Sequence, residues 1–243
     1  MKNSALIVFV VLWSMQFVQA QEYKVPKSSG RLEIHLGRVI VENTTGNEII
    51  FTNKESNSEK DERAVGLVAI SGLGLEDNTG LGVNVSNKGD IVSVNQLSKV
   101  KSPEIKILVP KGVIVSYEYS SQYGGEATFK NLENELEVSA TYNKVSLENI
   151  TGPVTCKTIY SSIEAEFSNN VKGPISLISV YSSVDVTLPQ AIKADLSMKT
   201  SYGEMFAAPE FKIELDRTTG KDGEMVNMSA NKVVGKINGG GIK

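Results

Sequence analysis

The side chains with the widest chemical repertoire are scarce in this chain. There is one histidine, His35, and one cysteine, Cys156. A Ser-His-Asp triad would have to use His35, which alternates with Ile34 and Leu36 as an outward strand residue, and no G-x-S-x-G accompanies it. One histidine and one cysteine leave too few ligands for a typical zinc site. Gly72, Gly74, Gly80 and Gly82 lack the spacing of a phosphate-binding loop and read as a flexible hairpin. Asp77-Asn78 in that turn lacks the rest of a calcium loop. Cys156 stands two residues after Val154 and reads as a small core residue. No catalytic residue, metal site or cofactor is expected, and the chain reads as a non-enzyme. What remains with positional regularity is a set of tyrosines and acids, and their meaning depends on the elements that carry them.

Those elements read as strands. Val, Ile, Thr, Ser and Tyr alternate in short runs separated by Gly, Asn and Pro, with almost no helical signal. From residue 136 onward an internal repeat appears. Four segments superpose: Leu136-Glu-Val138 to Tyr142, Val154-Thr-Cys156 to Tyr160, Ile175-Ser-Leu177 to Tyr181, and Leu196-Ser-Met198 to Tyr202. In each, apolar residues stand six and four before the tyrosine. A small residue follows it (Asn143, Ser161, Ser182, Gly203), and an apolar residue returns three after it (Val145, Ile163, Val184, Met205). The tyrosines are 18, 21 and 21 residues apart. A degenerate copy runs through Tyr117, Tyr119 and Tyr123-Gly124 to Ala127 and Phe129.

One unit therefore reads as strand, corner, strand, loop. Units stacked ~4.8 Å apart would hydrogen-bond layer to layer and place like residues above one another. The expected fold is all-β: a right-handed parallel β-helix or β-solenoid of short coils, with an antiparallel β-sandwich as the alternative. Residues 21–243 form one domain on this reading, with less regular N-terminal coils over 21–112 and tyrosine-containing repeats over 113–243. Within the former, Ser71–Gly82 reads as a tight turn between strands at Val65–Ile70 and Gly82–Val85, and Glu55–Arg63 as a charged loop. The final Ile237-Asn-Gly-Gly-Gly-Ile-Lys243 reads as a turn toward another strand, so the last coil is expected either to be truncated or to leave an open edge.

The repeat gives the tyrosines two readings. Parity with the apolar positions before them places the rings inside, or at the corner, as packing. If the chain bends first, Tyr142, Tyr160, Tyr181 and Tyr202 form an exposed aromatic strip able to take sugar rings or a partner's apolar surface. The acids divide in the same way. Glu164 and Asp185 lie four after their tyrosines, and Glu148 and Glu166 six after. Stacking would bring like charges within ~5 Å. A calcium ion between layers, a glycosidase-like pair, or simple solvation would each relieve this, and solvation is the usual state of surface acids.

The N-terminus has the parts of a secretory signal peptide over residues 1–20: Lys2, an apolar run from Ala5 to Trp13, and Val18-Gln19-Ala20 before Gln21. That run is short of the ~20 apolar residues of a spanning helix, so no transmembrane segment is expected after cleavage. Cleavage would move the formal charge from -3 to -4. A mildly acidic chain with interspersed lysines argues against nucleic acid as partner.

The signal peptide, Gly30-Arg-Leu-Glu-Ile34, the Val109-Pro110-Lys-Gly112 turn, the Tyr-Ser-Ser and Ser-Tyr-Gly corners and Ile237-Asn-Gly-Gly-Gly241 together resemble the auto-transporter adhesin (head GIN domain) family of exported bacterial proteins. The resemblance covers nearly the whole chain after residue 20 and implies a right-handed β-helix-like solenoid with a role at the cell envelope. The expected function is thus an exported binding module, in the periplasm, on the outer-membrane surface or outside the cell. It would offer a repetitive β-face to a glycan, an envelope protein or host matrix. A carbohydrate-active β-helix enzyme and a purely structural periplasmic protein are the alternatives.

Overall fold

The computed structural model describes residues 21–54, 67–216 and 231–241. The expected signal peptide and the charged stretch Glu55–Arg63 lie outside these residues. The described chain is all-β, with three mixed or antiparallel sheets and no helix.

Eight strands carry the regular part: β8 (Gly112–Tyr119), β9 (Glu126–Lys130), β10 (Leu136–Ala140), β11 (Lys144–Ile150), β12 (Val154–Thr158), β13 (Ile163–Phe167), β14 (Ile175–Ser179) and β15 (Val184–Thr187). Successive strands alternate between two sheets, so β8, β10, β12 and β14 pair in parallel in one and β9, β11, β13 and β15 in the other. The repeat positions become register positions. Val115, Leu136, Val154 and Ile175 form one column, and Tyr117, Val138, Cys156 and Leu177 the next. On the other sheet Ala127, Val145, Ile163 and Val184 align, as do Phe129, Leu147, Ala165 and Val186. The period-2 alternation sends each column inward, and both sheets contribute to one hydrophobic cluster. Cys156 lies in that cluster, where burial pushes its thiol pKa up to about 12.

Two further strand pairs precede β8 in space. β2 (Ser29–His35) and β3 (Arg38–Thr44) pair in parallel with β8 and β9. Beyond them lie β6 (Ile91–Gln96) and β7 (Glu104–Pro110), parallel to β2 and β3. This end is finished by antiparallel strands: β5 (Val83–Lys88) on β6, β4 (Glu48–Asn53) on β7, and β1 (Glu22–Pro26) on β4. The all-parallel expectation is thereby corrected. An outermost parallel strand leaves a row of unpaired N–H and C=O groups, and hairpin strands supply partners for it. The strand expected at Val65–Ile70 is reduced, in its described part, to a single bridge between Ile70 and Glu76.

The second correction concerns the fourth repeat. β16 (Ala194–Thr200) does not stack on β14. It pairs antiparallel with β18 (Asn231–Ile237) over seven residue pairs, and β17 (Ile213–Leu215) pairs with the other edge of β18. Alternation alone cannot separate these outcomes, because a parallel and an antiparallel strand share the same period of two. β14 and β15 are consequently the last parallel layer, and exposure rises there: Val184 is 40% and Val186 39% exposed, whereas Val145 and Ile163 are buried.

Candidate functional site

The tyrosine corners are the most ordered feature of the surface. Between the inward Ala140 and Val145 the chain turns in four residues, and the same length recurs from Thr158 to Ile163 and from Ser179 to Val184. The corners themselves are joined by backbone bonds. The Tyr160 N–H donates to the Thr141 carbonyl at 2.8 Å and the Tyr181 N–H to the Ile159 carbonyl at 2.9 Å. Hydroxyls complete the set: Ser161 Oγ donates to the Tyr142 carbonyl at 2.5 Å, and Ser179 Oγ to the Ser161 carbonyl at 3.1 Å. The small residue after each tyrosine (Asn143, Ser161, Ser182) leaves room for these bonds.

The rings point outward. Tyr142, Tyr160 and Tyr181 are 46%, 55% and 71% exposed. Parity with the preceding apolar positions fails because the strand ends two residues before each ring, at Ala140, Thr158 and Ser179, which occupy the last inward place. The three rings stack on one another with centroids 5.2 and 5.1 Å apart and interplanar angles of 15° and 9°. The spacing follows the layer rise of a parallel stack, ~4.8 Å. Tyr202 lies outside this ladder: it follows β16 in the separate antiparallel sheet and is 96% exposed.

Stacking decides what the ladder can do. Faces turned toward a neighbouring ring are occupied, so a sugar cannot lie flat against them. Tyr181 has no ring on its other face among the described residues, and along the ladder the ring edges and phenolic hydroxyls form a row with one hydroxyl per layer. Such a row suits an extended polar polymer crossing the strand layers, with hydrogen bonds repeated at each layer.

The inner side of the first corner is filled by Asn143 instead of serine. Its Nδ2 donates to the Gly37 carbonyl at 2.6 Å and the Tyr117 hydroxyl at 2.7 Å, and its buried Oδ1 has no partner among the described residues. Burial raises the pKa of the Tyr117 hydroxyl, keeping it neutral. Tyr117 and Tyr119 align with Val138 and Ala140 and are core residues, unlike the three ladder tyrosines. The corner between Tyr119 and Ala127 is longer than its successors, and no ring stacks beneath Tyr142 among the described residues.

The acids are arranged by charge alternation. Glu164 and Asp185 are register partners, as their repeat positions require. Glu164 nevertheless turns to Lys144 Nζ, at 2.8 Å, and this hydrogen bond raises the pKa of Lys144. Glu148 does not stack on Glu166. The β11–β13 register shifts between Leu147 and Ile150, Glu148 pairs with Lys130 at 2.8 Å, and Glu166 lies opposite Thr187. Lys106–Glu42 at 2.8 Å and Arg38–Glu104 at 3.1 Å continue the pattern on the same sheet. No group of three or more His, Cys, Asp or Glu side chains able to hold a metal occurs among the described residues. His35 ends β2 on the outer side of its sheet, opposite Asn95.

One exposed element escaped the sequence reading. Leu67, Val68, Ile70 and Leu73 are 73%, 59%, 66% and 83% exposed around the turn at Ser71–Gly74. Its sequence signal is the absence of any charged residue from Ala64 to Leu75.

No family model matches this chain, and no curated protein does. Among solved structures it is similar to a putative cell adhesion protein from Clostridium sporogenes, at 10% identity and a TM-score of 0.39, over 70% of this chain and 99% of that one. It is also similar to a putative adhesin from Bacteroides fragilis, at 10% identity and a TM-score of 0.23, over 70% of this chain and 98% of that one. With TM-scores below 0.5, neither likeness carries an argument about fold or function.

Proposed function

We propose that this chain is a non-enzymatic, exported binding protein of the bacterial cell envelope, a β-solenoid of the auto-transporter adhesin (head GIN domain) kind. Its binding line would be the ladder Tyr142–Tyr160–Tyr181. The observation that carries the reading is the ladder itself: three exposed rings held at 5.1–5.2 Å by stacked corners. Exposed aromatic side chains already fixed in place lose little conformational entropy on binding. A repeated row favours a repetitive partner, and a glycan chain is the partner whose hydroxyls best match the phenolic row. Weak contacts would add along the ladder.

The test is binding of the chain from Gln21 to an array of polysaccharides and matrix proteins, run with calcium and with chelator. All described strands lie after that point. Saturable binding to a polysaccharide, unchanged by chelator, is the expected result. Folded protein that binds nothing on the array would overturn the glycan and matrix forms of the reading.

A further inference from the structure

The turn at Ser71–Gly74 has a second use. We infer that it is a preformed tip that inserts into the interfacial region of a lipid bilayer. The first observation is its exposure: Leu67, Val68, Ile70 and Leu73 are each more than half exposed. Among the described residues nothing lies within 4 Å of where a Cβ would sit on Gly72 or Gly74. Four exposed apolar residues so close together in one projecting turn are costly in water unless a second phase receives them.

The second observation concerns the backbone. A segment entering lipid must satisfy its own polar groups, since no water is available there. In this tip the Ser71 N–H donates to the Leu75 carbonyl at 2.7 Å, and the Gly74 N–H to the Ser71 carbonyl at 2.9 Å. The Leu73 and Leu75 N–H groups both donate to Ser71 Oγ, at 3.2 and 3.0 Å. The turn is thus largely closed on itself, and it carries no charge: none occurs from Ala64 to Leu75.

The base is held firmly. The Asp77 carboxylate accepts from the N–H groups of Thr79, Gly80 and Gly82 at 3.0, 2.8 and 2.9 Å, and Asn84 Nδ2 donates to the Glu76 carbonyl at 2.8 Å. The tip is therefore presented on a rigid stem at the entry to β5. Val83 at that entry pairs with Gln96 at the exit of β6, so the segment Ser98–Lys101 leaves from the same end. It adds Val100, 64% exposed, between the exposed Lys99 and Lys101. Apolar side chains at a tip, with lysines at the same end of the β5–β6 pair, match a bilayer interface, whose headgroups attract cations while the acyl boundary takes the apolar groups.

The experiment is flotation of the chain from Gln21 with vesicles of phosphatidylcholine, and of an equal mixture with phosphatidylglycerol. That chain contains no tryptophan, because the single one is Trp13. Leu73→Trp therefore places one fluorophore at the tip. Binding to both vesicles is expected, tighter with phosphatidylglycerol, with a blue shift of the Leu73→Trp emission. The pair Ile70→Asp with Leu73→Asp should lower partitioning at least about tenfold. Lys99→Glu with Lys101→Glu should remove only the preference for phosphatidylglycerol. Circular dichroism identical to wild type shows that each variant is folded, as substitutions in open space permit. Failure to float, flotation unchanged by the paired aspartates, or an unshifted Leu73→Trp spectrum on bound vesicles would each overturn the inference.

Discussion

The rings of Tyr160 and Tyr181 lie parallel, 5.1 Å apart at 9°, although 21 residues of chain separate them. Their stacking follows from in-register pairing of β12 with β14, which puts Thr158 beside Ser179 and carries both corners along. Tyr160 is the central ring and stacks on both neighbours, each contact contributing about 0.5–1.5 kcal/mol. Tyr160→Ala should lower stability by about 1–2 kcal/mol in urea unfolding, allowing for the exposure of the rings. Tyr202→Ala, without a ring neighbour among the described residues, should fall within about 0.5 kcal/mol of wild type.

The core columns predict a gradient along the stack. Leu136 is fully buried between Val115 and Val154, so Leu136→Ala should cost about 2–5 kcal/mol. Leu177 is only partly buried, in the last parallel layer, and Leu177→Ala should cost distinctly less. Equal losses in denaturant titrations would show that β14 is covered as well as β10.

Glu133 accepts from Lys111 and from Lys172, the latter at 2.9 Å, and ties the turn after β7 to the loop before β14. These two hydrogen bonds lower its pKa to about 2, below the ordinary carboxylate value. A depressed folded pKa contributes stability above the unfolded pKa, near 4.3, and loses it as pH falls toward about 2. Glu133→Gln should therefore be less stable than wild type at neutral pH and equal to it near pH ~2. The group is exposed, so added salt should shrink the difference.

Cys156 has the opposite sign. Burial raises its thiol pKa to about 12, so folding favours the neutral thiol. Stability from this group is present below the unfolded pKa, near 8.5, and declines as pH rises above it. A thiol reagent at pH ~8 should leave Cys156 untouched in folded protein and label it fully in urea. Fast labelling of the folded chain would contradict its place in the core.

The parallel layers were legible because in-register stacking turns a repeat offset into a spatial neighbour. Leu136, Val154 and Ile175, each six before a tyrosine, form one column for this reason. The direction of the tyrosines was not legible. Parity holds only while a strand continues, and each strand stops at the small residue two before the ring. The fate of Leu196 to Tyr202 was hidden for a different reason. Its partner, β18, lies some thirty residues downstream, and alternation does not record strand direction. The antiparallel cap of β1, β4 and β5 follows from the need to finish an edge, which no single segment's pattern states. The pairing of Glu164 with Lys144 depended on a lysine from the neighbouring strand β11, a neighbour that comparing like repeat positions overlooks.

The most direct test of the binding line is the dissociation constant for the best polysaccharide from the array, measured by calorimetry with four proteins: wild type, Tyr160→Phe, Tyr160→Ala and Tyr202→Ala. The account predicts a loss of about tenfold or more for Tyr160→Ala, equivalent to about 1.4 kcal/mol. A smaller loss is expected for Tyr160→Phe, which keeps the stack and deletes one hydroxyl of the row, and no change for Tyr202→Ala. Unchanged affinity in folded Tyr160→Ala, or a loss confined to Tyr202→Ala, would contradict it.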